Sequence, residues 1–193
     1  MKDPENLICF LNALGKRIKE HKTDIANNMS DVLLGPLKIQ KDKPPISPTC
    51  SFDPKLLLPH ESNLINLLKD CINLLSWREA GFGKLPESIS KQICVTELIG
   101  PNGFFEHSNI RIGLLLQRPE TNYPWHHHAA EELYFILSGK AFWAVNQKEP
   151  RLNSAESFIH HKSDQSHCMI TRNNHMLAVW GWTGDINGST YSI

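Results

Sequence analysis

The stretch Tyr123-Pro-Trp-His-His-His-Ala-Ala-Glu-Glu-Leu-Tyr-Phe-Ile-Leu-Ser-Gly139 constrains this chain more than any other. His126 and His128 are two residues apart, so on an extended strand both rings leave the same face. Ala129, Ala130 and Glu131 supply a short turn. Glu132, Tyr134 and Ile136 then share one face of a segment rich in bulky apolar residues. A hairpin here gathers two imidazoles, a carboxylate and a phenol around one point. That donor set suits a borderline divalent metal: zinc, iron, manganese or nickel. A fourth ligand is needed, and His167 is the best placed, because apolar Cys168, Met169 and Ile170 follow it as in a core strand. His160 and His161 precede a polar loop and read as loop or supporting residues. His127 has the wrong parity and should face away. Tyr134 has two readings: a core phenol with a bonded hydroxyl, or a general base whose pKa a neighbouring cation lowers from about 10.

The remaining composition narrows the function classes. With 20 basic and 20 acidic residues in 193, the formal charge is zero, which gives no electrostatic footprint for nucleic acid or an anionic membrane. No run of about 18 apolar residues is present, so no transmembrane helix is expected. The N-terminal Met-Lys-Asp-Pro-Glu-Asn lacks a secretory h-region, which predicts a cytoplasmic protein. Cys9, Cys50, Cys71, Cys94 and Cys168 form no Cys-x-x-Cys pair, and an odd, scattered count argues against a disulfide framework or a zinc knuckle. Cys168 reads as a small buried apolar residue pointing away from the metal face.

In chain order, Leu7, Phe10, Leu11, Leu14 and Ile18 recur at helical spacing and predict an amphipathic helix over 6–22, packed on the domain or on a partner subunit in a homodimer. A second helix is expected over Asp24–Leu34, ended by Gly35-Pro36. Residues 36–60 carry six prolines and read as an ordered connector or lid containing Leu56, Leu57 and Leu58. Helix returns over 62–77, with Ser62 as N-cap. From Ile93 the period becomes that of strands, expected near 93–99, 109–117, 124–128, 131–138, 141–146, 156–159, 166–171 and 176–183, with a turn at Gly139-Lys140. Many short strands at regular spacing predict a sandwich or barrel. The chain thus divides into 1–92, a helical extension with a Pro-rich connector, and 93–193, a β-barrel domain.

The spacing His-x-His-x3-Glu-x6-Gly, here His126, His128, Glu132 and Gly139, resembles the first metal motif of the cupins. Glu120 stands where that motif has a leading Gly. Lys162 and Asp164 stand where the second motif has Pro and Gly. From about Trp77 to Ile186 the chain is similar to the cupin-type dimethylsulfoniopropionate (DMSP) lyases, through Glu97–Gly103, Arg111–Gln117, Tyr123–Tyr134, Leu137-Ser-Gly139, His167 and Leu177–Asp185. The resemblance implies a mainly β cupin (double-stranded β-helix, jelly-roll barrel) with an N-terminal helical extension. It implies β-elimination of DMSP to dimethyl sulfide and acrylate by a carbon–sulfur lyase. It makes His126, His128, Glu132 and His167 ligands of one divalent transition metal, Tyr134 the base that removes the α-proton, and Tyr123 a substrate-positioning group. A sulfonium suits an aromatic cage, for which Trp143, Trp180, Trp182 and Phe142 are candidates and Trp125, on the other parity, a weaker one. Competing readings are a metal-dependent cupin oxygenase acting on a small carboxylic acid and a non-catalytic cupin that binds a small ligand.

Overall fold

The computed structural model describes residues 4–40, 50–54 and 62–193. Three helices come first: α1 (Glu5–Lys19), α2 (Asp24–Leu34) and α3 (Asn63–Cys71). Each forms for a legible reason. On α1, Leu7, Phe10, Leu11, Leu14 and Ile18 fall on one face and are all buried, the stripe that the helical period demands. Thr23 and Ser62 cap α2 and α3, accepting from the amides of Ala26 (3.4 Å) and Ile65 (3.2 Å), which satisfies donors that a helix start leaves open. α3 stops at Cys71, short of the expected 77, and continues as a 3₁₀ turn over Ile72–Leu74. A short α4 (Glu87–Ser90) precedes the barrel.

The described residues hold ten strands: β1 (Arg78–Glu79), β2 (Ile93–Gly100), β3 (Phe105–Glu106), β4 (Arg111–Gln117), β5 (Asn122–His126), β6 (Ala130–Val145), β7 (Arg151–Ser154), β8 (Phe158–His161), β9 (His167–Ile170) and β10 (Met176–Gly184). Their order is β1-β2-β4-β10-β6-β9-β5, with β3 on β2 and β7 and β8 on β6. Two expectations need correction. Gly139-Lys140 is not a turn: β6 runs through it for 16 residues. Gly139 takes φ +78° and faces the His175 carbonyl so closely that a Cβ would strike it. The strand bends there, so that its first half pairs with β10 and β8 and its second half with β7 and β9. Nor do β5 and β6 form a hairpin. β5 pairs with β9 instead, and the His and Glu segments meet across the barrel mouth from different sheets.

The sheet separates two apolar layers by period-2 alternation. Leu114, Leu133, Phe135 and Val179 face outward onto α1, α2 and α3 in one continuous cluster. Val95, Leu115, Tyr134, Ile136, Ala178, Trp180 and Trp182 face inward. With both faces covered, β2 and β4 are buried at every position, as for sheets sandwiched between layers. Gly15 lets α1 approach α2, since a Cβ there would lie 2.9 Å from Leu33 Cβ.

A disulfide joins Cys50 to Cys94 on β2, with Cα atoms 5.7 Å apart. The sequence had argued against a disulfide framework. A single bridge between cysteines 44 apart leaves no spacing pattern to read. Cys168 is buried, as expected. The Leu56–Leu58 patch of the expected lid lies outside the described residues.

Candidate metal centre and cleft

Register builds the site. His126 at the end of β5 stands opposite His167 on β9. Glu132 on β6 is flanked by Trp182 on β10 and by His161 on β8. His126, His128, Glu132, His161 and His167 are all buried, while His127 is exposed. One carboxylate oxygen, Glu132 Oε2, lies 3.2 Å from each of His128 Nε2, His161 Nδ1 and His167 Nε2. The other oxygen, Oε1, accepts from Trp182 Nε1 at 2.7 Å.

Hydrogen bonds on the far side of each ring decide its tautomer. A backbone carbonyl only accepts, so the Nδ1 atoms of His126 (Pro124 O, 2.8 Å), His128 (Ala130 O, 3.0 Å) and His167 (Gln165 O, 2.8 Å) carry protons. In the neutral ring this leaves Nε2 as a lone-pair donor, the orientation that backbone partners impose on metal-binding imidazoles. His167 Nε2 is buried with no hydrogen-bond partner among the described residues. Two such lone pairs, those of His128 and His167, lie 3.2 Å from Glu132 Oε2 and repel it unless a cation or a proton lies among them. His128, Glu132 and His167 offer donor atoms within 4.8 Å of one another and could hold a metal ion. His126 lies at the edge of this triple, its ring centroid 4.1 Å from that of His167 and 6.4 Å from that of His128. His161 differs. Trp143 Nε1 donates to its Nε2 at 3.1 Å, so that lone pair is occupied and Nδ1–H donates to Glu132. His161 orients the carboxylate.

Electrostatics follow this geometry. Burial drives the Glu132 carboxyl up, but the charge of His128 and the close approach of His128, His161 and His167 outweigh it and hold the group well below the usual carboxylate range. Burial, then the charge on His167, lowers His126 well below an ordinary imidazole and His161 to about 4. His128 is opposed by burial yet raised by Glu132. Burial, then Glu132, holds the Tyr134 phenol well above its ordinary value.

A cleft of about 410 Å³, mouth included, opens onto this cluster. Tyr123, Tyr134, Trp180 and Trp182 line it. Trp143 is not in its lining: beyond the bend at Gly139 its indole packs 4.8 Å from the Tyr134 ring and bonds His161. Phe142 is exposed on the outside. Among the lining residues that sequence reasoning missed, three carry charged or aromatic side chains. Arg78 enters on β1, which is too short for a period. Phe82, at φ +52° between Gly81 and Gly83, stacks near Trp182 and Tyr191, with centroids at 5.8 Å in both cases. Tyr191 donates to Tyr123 Oη at 3.2 Å, from a tail held by paired backbone bonds between His127 and Ser192 and by Lys84 on the Ser189 and Tyr191 carbonyls.

A ten-stranded jelly-roll barrel with imidazoles and a carboxylate gathered at its mouth is a cupin. The chain belongs to the dimethylsulfoniopropionate lyase family, whose model matches residues 20–178. It is 32% identical over 89 residues, 46% of this chain and 44% of the relative, to dimethylsulfoniopropionate lyase DddQ of Ruegeria pomeroyi. It is 29% identical over 112 residues, 57% of this chain and 46% of the relative, to putative dimethylsulfoniopropionate lyase DddL of Cereibacter sphaeroides. These matches thus span about half the length of the curated relatives. In fold the chain is similar to the crystal structure of DddQ from Ruegeria pomeroyi DSS-3, with TM-score 0.73 at 22% identity over 96% of this chain and 95% of that one. A chain from the crystal structures of DMSP lyases RdDddP and RnDddQII gives TM-score 0.73 at 20% identity, covering 96% and 97%. Among the described residues no helix is long and apolar enough to cross a membrane.

Proposed function

We propose that this protein is a DMSP lyase, eliminating dimethyl sulfide from dimethylsulfoniopropionate to leave acrylate, with one divalent transition metal (zinc, iron, manganese or nickel) held by His126, His128, Glu132 and His167. The observation that carries the reading is the gathering of Nδ1-anchored imidazoles, those of His128 and His167 with Nε2 3.2 Å from Glu132, at a cleft that Tyr134 also lines. Bound there, the metal supplies positive charge that favours negative charge developing beside the substrate carboxylate. The chain's own groups do the rest. Burial and Glu132 hold the Tyr134 phenol high, and the positive charge of a bound metal would offset them; the Tyr134 oxygen, then ionised, takes the proton α to the carboxylate. The electron pair left behind forms the carbon–carbon double bond as the carbon–sulfur bond breaks. Dimethyl sulfide departs neutral, so no general acid is required. Tyr123, its hydroxyl fixed by Tyr191, positions the substrate. Trp180 and Trp182, edge to face with centroids 5.8 Å apart, offer aromatic faces to the sulfonium.

The helical part, 1–92, and the barrel, 93–193, act on this reading as two segments sharing one apolar core, the barrel carrying the chemistry. Headspace gas chromatography tests the function. Dimethyl sulfide should appear from DMSP with oxygen excluded, disappear on chelation and return on adding a divalent metal. Release that requires oxygen, or none with any metal, refutes it.

A further inference from the structure

We propose that Arg78 is the anion anchor of the cleft, holding the carboxylate of a small zwitterionic substrate so that its cationic end turns to the indoles of Trp180 and Trp182. The inference rests on the lyase reading for the identity of that zwitterion, and on the following geometry for the anchor. β1 pairs with β2 so that Arg78 stands opposite Val95. Val95 stands opposite Leu115 and Leu115 opposite Ala178, all in the inner layer of the barrel. Strand parity therefore puts the Arg78 side chain in the inward row, and it does line the cleft. Its guanidinium carbon lies 5.4 Å from the Phe82 ring centroid, within cation–π range, and Phe82 is fixed at the cleft mouth.

The guanidinium is under-used. Nη1 donates to the Glu79 carbonyl at 3.3 Å, and a guanidinium has five N–H donors. Among the described residues no carboxylate lies within ion-pair distance of it. Glu97, a charge in its neighbourhood, is committed at 3.1 Å to Arg111 and at 2.9 Å to the Asn102 amide, so Arg78, Arg111 and Glu97 together keep one net positive charge. A half-buried cation with open donors, aimed into a cleft beside Tyr123, fits a carboxylate bidentately. It repels a sulfonium, so it also rejects the reversed pose. Neutralising the carboxylate further eases the build-up of a second negative charge on the adjacent carbon.

Calorimetric titration of the metal-loaded protein with two half-substrates tests the anchor: propanoate, which has the carboxylate and no sulfonium, and ethyldimethylsulfonium, which has the reverse. Arg78→Gln should weaken propanoate about 10–100-fold, the span of charge-assisted hydrogen bonds. It should leave ethyldimethylsulfonium within about twofold and metal content unchanged. Arg78→Lys, which keeps the charge without the fork, should recover part of the loss. Unchanged propanoate affinity in Arg78→Gln, equal weakening of both probes, or no propanoate binding by the parent overturns the proposal. The two readings fail separately. A parent that binds propanoate through Arg78 but releases no dimethyl sulfide retains the anchor and loses the lyase. One that releases it with propanoate indifferent to Arg78 does the opposite.

Discussion

Glu132 receives Trp182 Nε1–H on one oxygen and has His128, His161 and His167 around the other. Because His161 uses both ring nitrogens on neighbours, it and His167 should respond differently to removal. His167→Ala should abolish measurable metal loading. His161→Ala should lower metal affinity about 10–100-fold without abolishing it, the usual effect of losing a partner of a ligand. Metal analysis after dialysis against buffered zinc separates the two, and equal losses would make His161 a ligand. Tyr134→Phe removes one hydroxyl from a packed ring. It should keep its metal and lose turnover about 10²–10⁴-fold, the span for one general base. Near-parental turnover would move proton abstraction elsewhere. The sequence let one expect His126 with His128, and Glu132 with Tyr134, to share strand faces by parity, and His167 to start a core strand from the apolar residues after it; the pairing of β5 with β9 that brings them together was not legible. His161 was not separable from His160, since two adjacent histidines before a polar loop differ only in parity, and parity needs a strand boundary that the loop conceals.

Elements explain where the pattern departs from its relatives. Glu120 and Asp164 replace the glycines that the cupin pattern puts in these turns, yet both keep left-handed backbone, φ +53° and φ +57°. The turns persist because they are held from outside. The Glu120 amide donates to Arg172 O at 3.0 Å and the Asp164 amide to His128 O at 2.9 Å. Asp tolerates this region better than Glu. Glu120→Gly should therefore stabilise the protein by about 0.5–1 kcal/mol, read as a raised urea midpoint with unchanged slope. Destabilisation would mean that the exposed Glu120 side chain has a role of its own. Strand positions from Ile93 onward were legible from alternation and turn residues. The single long β6 was not, because Gly139-Lys140 reads equally as a turn or as a bend. β1 was also hidden, at two residues, and with it Arg78.

At the scale of the molecule, helices and barrel are one body: α1, α2 and α3 cover the outer face of the sheet whose inner face makes the cleft. Burying several imidazoles in that body makes the metal-free protein sensitive to acid. His161 titrates at about 4 when folded against a model value of 6.5. Between those values the unfolded chain binds a proton that the folded one refuses, so stability falls as pH drops from 6.5 to 4, by up to about 3 kcal/mol. Glu132, depressed when folded, adds a loss on the acid side. His128, raised by Glu132, contributes in the opposite sense, stabilising below the ordinary imidazole value. The melting temperature of chelator-stripped protein should drop steadily from pH 7 to pH 4.5, and a flat profile would contradict buried neutral rings. The central claim, elimination rather than hydrolysis or oxidation, is decided by proton NMR of the metal-loaded protein with DMSP under argon. The account predicts acrylate and dimethyl sulfide appearing in equal amounts as DMSP disappears. Formation of 3-hydroxypropanoate, loss of a methyl group with the carbon–sulfur chain intact, or an unchanged DMSP spectrum would contradict it.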